Sequence, residues 1–65
     1  LCLHEKITIL CREKGVSIYR MCKETGIRQN TVSNWQNREN AKPELDIAVK
    51  MADYFGVNPS YFLKE

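Results

Sequence analysis

Four uncharged polar side chains, Gln29, Asn30, Ser33 and Asn34, crowd into six positions of the stretch 21–36, MCKETGIRQNTVSNWQ. On a helix, residues three and four apart share a face. Gln29 then lies beside Ser33 and Asn30 beside Asn34, with Asn37 one turn further on. Val32 and Trp35, three apart, fall on the other side and can anchor the helix to a core. An amide donates and accepts hydrogen bonds at once, and Gln or Asn matches adenine bidentately in the major groove. A helix held down on one side and offering amides and hydroxyls on the other suits base-pair edges. The plainer reading is a solvated surface helix, which shows a polar outer face in any globular domain.

The elements that must position this row come from a short chain. Its 65 residues suffice for one domain, expected to span 1–65. Such a domain buries only about 60% of its extended-chain surface, which leaves little room for a deep catalytic pocket. Hydrophobic content of 43% and charged content of 28% are ordinary for a globular chain. No apolar run approaches the roughly 20 residues that cross a bilayer, and no secretory signal pattern opens the chain. The chain starts at Leu1 and not at Met, which is compatible with a piece of a longer protein.

Three cysteines, Cys2, Cys11 and Cys22, show no CxxC spacing. An odd count so spaced argues against a disulfide framework and against zinc. Cys11 and Cys22 fall on apolar stripes and read as small buried hydrophobes. Free thiols fit a reducing compartment, so a cytoplasmic location is expected. His4, the single histidine, lacks a ligand partner and reads as a surface residue. Without paired carboxylates at a plausible site, a Cys/His pair or a Gly-rich phosphate loop, no catalysis, cofactor or metal is expected.

The net charge of +2 is unevenly placed. Between positions 12 and 42 stand seven basic and three acidic residues, giving +4; the remainder holds three basic and five acidic, giving −2. Positive charge therefore gathers around the amide row, a modest footprint for a polyanion.

Periodicity predicts five short helices and no strand. Leu3, Ile7, Leu10 and Cys11 form the stripe of a first helix over 3–14, with Ile9 off the stripe and Gly15 as its terminator. Ser17 is an N-cap for a second helix over 18–25, with Ile18, Met21, Cys22 and Thr25 inward and Gly26 closing it. The third helix is expected from 28 or 29 to about 37. Arg28 is a poor N-cap, which makes phosphate contact a candidate reason for its presence. A polar loop exposing Arg38, Asn40 and Lys42 ends at Pro43, placed at the first position of the next helix. That fourth helix, over 44–55, turns Leu45, Ala48, Met51, Ala52 and Phe55 inward; Gly56 closes it. Asn58-Pro59 then starts a last short helix carrying Tyr61, Phe62 and Leu63.

Two helices joined by a short turn, with a small residue, a glycine and a branched apolar residue at fixed offsets, make a helix-turn-helix. Cys22, Gly26 and Val32 hold those offsets. The chain here resembles the phage-repressor and Cro-type helix-turn-helix family (the XRE family) over nearly its whole length. REKGVSIYRMC is similar to the end of helix 1 and helix 2, and TGIRQNTVSNW to the turn and recognition helix. KPELDIAVKMADYFGVNPSYFL is similar to helices 4 and 5, and ADYFGV resembles repressors of Gram-positive bacteria and their phages.

The resemblance implies an all-α, compact bundle of five short helices with a central helix-turn-helix, a lambda-repressor-like DNA-binding domain. It implies a transcriptional regulator, repressor-like, whose helix 3 enters the major groove of double-stranded DNA. Position by position, it puts Gln29, Asn30, Ser33 and Asn34 on base edges. It puts Arg28, Thr31, Arg38, Asn40 and Lys42 on phosphates, with another phosphate at the backbone N–H groups of Ser17 and Ile18. A homodimer is expected on DNA, with Tyr54, Tyr61 and Leu63 as candidate dimer face and Phe62 assigned to the core. Two departures stand out: Ile18 replaces the Gln that often follows the Ser of helix 2, and Arg38 replaces a frequent Gly. The missing Gln and the low net charge keep a second reading open, a helix-turn-helix protein-interaction module such as an antitoxin or a regulator acting through a protein partner.

Overall fold

The computed structural model describes residues 2–36 and 38–63; Asn37, expected at the end of the third helix, lies outside the described residues. Helices α1 (Leu3–Lys14), α2 (Ile18–Thr25), α3 (Gln29–Ser33), α4 (Leu45–Phe55) and α5 (Ser60–Leu63) follow in order, with no strand among the described residues. They pack into a globule of 25 × 22 × 20 Å. The expected all-α bundle of five short helices is what forms. Helix α4 touches α1, α2 and α5, and α2 carries α3.

Helix α1 forms where the stripe predicts it. Leu3, Ile7 and Cys11, each four apart, are buried, and Ile9 stays on the exposed flank. The Glu5 carboxylate accepts the Cys2 N–H at 3.5 Å at its start. At its end Val16 N–H reaches back to the Cys11 carbonyl at 2.9 Å. Helix α2 opens on Ser17, whose hydroxyl oxygen accepts the Arg20 N–H at 3.0 Å. Such a cap stabilises a helix by about 1 kcal/mol.

Two details of α4 correct the sequence reading. Glu44 is its N-cap and Leu45 its first residue, so Pro43 precedes the cap and does not open the helix. Pro43 is buried there, where its missing N–H costs nothing. Leu45 is 66% exposed and not inward; the buried face runs through Ala48, Met51 and Ala52, with Ile47 and Phe55 packed against it. Helical spacing fits Leu45 to that face, but it stands in the first turn, beyond the packed neighbours. At α5, the Asn58 side-chain oxygen accepts the Ser60 N–H at 2.9 Å, the cap its Asn-Pro pair predicts.

The core gathers Leu3, Ile7 and Cys11 from α1, Met21 and Cys22 from α2, Ala48, Met51 and Ala52 from α4, and Phe62 from α5. Ile27, Val32 and Trp35 complete it from the turn and the α3 segment. Cys11 and Cys22 are free and buried, and burial pushes both thiols above their ordinary value. They pack as small hydrophobes, as the sequence predicts. His4 is half-buried rather than on the open surface; it lines an open cleft of about 470 Å³ with Cys2, Glu5, Gln36 and Glu39.

Candidate nucleic-acid interface

The interface is built from a turn that fixes α3 on α2. Gly26 adopts φ 81, ψ 8, and its N–H closes on the Cys22 carbonyl at 2.9 Å. Side chains with a Cβ resist this left-handed conformation, so glycine is the residue that lets α2 stop and the chain reverse. Thr25 locks the same turn. Its hydroxyl donates to the Met21 carbonyl at 2.7 Å and accepts the Ile27 N–H at 3.4 Å. Ile27 then plugs into the core at 6% exposure.

Helix α3 is shorter than the sequence predicts. It runs Gln29–Ser33, and three hydrogen-bonded turn residues follow. The Asn34 N–H still reaches Asn30, four back, at 3.0 Å, but Trp35 and Gln36 bond three back, to Val32 and Ser33. The tightening turns the buried Trp35 indole onto the core beside Val32. Anchoring by Val32 and Trp35 therefore forms as expected, on a segment that is half α-helix and half tighter turn.

All four residues of the amide row are exposed: Gln29, Asn30, Ser33 and Asn34. None makes a side-chain hydrogen bond among the described residues. Between 29 and 36 every exposed position is Gln, Asn or Ser, with no cation, carboxylate or apolar group on that face. The structure thus brings together a row of solvent-facing donors and acceptors on a segment fixed from behind.

Around the row, Arg28 stands at the N-cap of α3 with its side chain exposed and making no cap bond, while its carbonyl accepts from Thr31 and Val32. Arg38, Asn40 and Lys42 are exposed on the loop before α4, and Thr31 is half-buried. Ser17 is exposed and Ile18 half-buried at the start of α2, where neither N–H has a backbone acceptor among the described residues.

A family profile, the Cro/C1-type HTH DNA-binding domain, matches residues 6–64. The chain belongs to that family. No curated protein matches it. A Cro/C1-type domain is a DNA-binding regulatory domain and is not typically catalytic, so this chain is a DNA-binding regulator in general terms. Among the described residues no helix is long and apolar enough to cross a membrane, and no three His, Cys, Asp or Glu side chains are grouped to hold a metal ion.

Between α2 and α4 this Cro/C1-type domain carries a polar cluster absent from the sequence reading. The Tyr54 hydroxyl on α4 donates to Glu24 Oε1 on α2, and Arg20 Nε donates to Glu24 Oε2 at 3.3 Å. Lys14 Nζ of α1 sits 4.8 Å from the centre of the Tyr54 ring, a cation–π contact. The Tyr54 hydroxyl, then Arg20, hold the Glu24 carboxyl below its ordinary value, and the bond to Glu24 pushes the Tyr54 phenol up. The Arg20–Glu24 half was legible as an i, i+4 pair. Tyr54 was not, because no local pattern joins residues thirty apart.

Of the candidate dimer-face residues, Tyr54 is half-buried and engaged in this cluster. Tyr61 is 38% exposed, with Lys6 Nζ 5.6 Å from its ring centre. Leu63 is half-buried and packs against the core. Tyr19, 59% exposed on α2, is a large side chain that the sequence reading passed over.

Proposed function

We propose that this chain is a sequence-specific transcriptional regulator, repressor-like, that places α3 in the major groove of double-stranded DNA. What carries the reading is the exposed, unpartnered row of Gln29, Asn30, Ser33 and Asn34 on a segment pinned by Val32 and Trp35. These four make the base contacts. Arg28, Thr31, Arg38, Asn40, Lys42 and the N–H groups of Ser17 and Ile18 contact phosphates and set the register, while base contacts supply discrimination. The single domain spans 1–65, works in the cytoplasm without cofactor or metal, and binds as a homodimer through Tyr54, Tyr61 and Leu63. Its half-sites lie about one helical turn apart.

Selection of bound duplexes from a random pool at low salt tests the reading; failure to enrich any sequence overturns it. Placing the selected site across a promoter tests the sign of regulation, with reduced reporter output expected. A second reading, a protein-interaction module such as an antitoxin, draws support from the half-buried Ile18 at the Gln position and from the low net charge. Salt separates the two. Binding to DNA weakens steeply as salt rises, in proportion to the phosphates neutralised.

A further inference from the structure

We infer that each copy of this chain reads a run of adenines, about three adjacent A·T base pairs, and makes no direct contact that favours guanine or cytosine. The inference rests on the proposed DNA reading and specifies its target. Each base pair shows a distinct pattern in the major groove. Adenine presents an acceptor at N7 beside a donor at N6, which an amide matches with its NH₂ and its carbonyl oxygen. Guanine presents two acceptors, N7 and O6, the partners of Arg or Lys, and cytosine presents a donor, the partner of Asp or Glu. The exposed positions of the α3 segment offer Gln29, Asn30, Ser33, Asn34 and Gln36. A Ser hydroxyl is indifferent between bases. The chemistry of the face is therefore adenine chemistry, with the guanine and cytosine readers left out.

Geometry fixes the length of the run. From Gln29 to Asn34 the chain rises about 7.5 Å at helical pitch. Neighbouring base pairs stand about 3.4 Å apart, so the row covers about three of them. The segment cannot extend the run as a straight helix, because after Asn34 its hydrogen bonds shorten to three residues and Trp35 turns into the core. Arg28, the nearest cation, is at the N-cap, one residue before the row.

The test takes the site selected from random duplexes and replaces its adenines one at a time with 7-deazaadenine. That base keeps its Watson–Crick pairing and its N6 donor but lacks the N7 acceptor. Within an A·T run of about three, binding should fall about 5- to 150-fold at a position that accepts a bidentate amide, the range of a good base contact. In Gln29→Ala or Asn30→Ala, substitution at the matching adenine should cause little further loss, because the partner is gone. Both side chains are exposed, so the variants keep the fold. A selected half-site centred on G·C pairs, or unchanged binding to every 7-deazaadenine duplex, overturns the adenine assignment while leaving DNA binding intact. No enrichment at all overturns the DNA reading itself, and the adenine assignment with it.

Discussion

The Tyr54 hydroxyl on α4 donates to the Glu24 carboxylate on α2, thirty residues away, while Arg20 holds the second oxygen of the same carboxylate. The cluster ties α4 to the helix that carries α3. It also has a defined pH window. Glu24 has a folded value lowered from 4.5, so its contribution is present above 4.5 and is lost as pH falls through the lowered value. Tyr54 has a folded value raised from 10.0, so its contribution is present below 10.0 and is lost as pH rises through the raised value. Tyr54→Phe should move the Glu24 carboxyl back up toward 4.5 and flatten the acid limb of the stability profile. Because Glu24 and Arg20 are exposed and Tyr54 is only half-buried, the stability effect is small and shrinks with salt. Carboxyl chemical shifts followed against pH check this; an unmoved Glu24 titration would remove the bond from the account.

Gly26 carries a second prediction. A Cβ added there meets nothing within 4 Å, so the cost of Gly26→Ala is one of backbone conformation, not of space. The left-handed region costs a residue with a Cβ roughly 1–2 kcal/mol, partly offset by the lower freedom of the unfolded alanine chain. We expect a net loss of about 1 kcal/mol in urea unfolding, and a smaller loss for Gly26→Asn, since Asn tolerates this region. An Asn variant weaker than the Ala variant would mean that the turn is not limited by φ.

These two sites mark what the sequence carries and what it does not. Gly26, Ser17 and Asn58 act on their own neighbours, so their roles were readable from type and spacing. The stripe of α1 was equally plain, since Leu3, Ile7 and Cys11 repeat every four residues. Leu45 has the right spacing but an exposed position, because periodicity marks a face and not the place where packing runs out. The end of α3 was lost for a related reason. Trp35 satisfies both a helical stripe and a tighter turn, and only the core around it decides which forms. For the amide row, chemistry was visible in the residue types, whereas its freedom from internal partners required the fold.

Arg28 provides the test of how contacts divide between phosphate and base. Its side chain is exposed at the N-cap of α3 and makes no cap bond. Arg28→Ala should weaken binding about equally on all duplexes and lower the slope of log affinity against log salt by about 1. Titrations of a selected and a scrambled duplex at several salt concentrations measure both quantities. A loss confined to one base position, with an unchanged slope, would make Arg28 a base reader.

Gln29→Ala combined with Asn30→Ala tests the row itself. Both side chains are exposed and neither has an internal hydrogen bond among the described residues, so the helical circular dichroism signal should be unchanged. Each good bidentate contact contributes about 1–3 kcal/mol of discrimination. Removing both should therefore bring the selected duplex close to the affinity of a scrambled one. Because no charge is lost, the salt slope should stay that of the parent chain, the opposite signature to Arg28→Ala. Competition between selected and scrambled duplexes reads the ratio directly. If the double variant keeps its selectivity, Gln29 and Asn30 do not read the bases, and discrimination must come from Ser33 and Asn34, from the shape of the DNA or from the basic loop at Arg38 and Lys42.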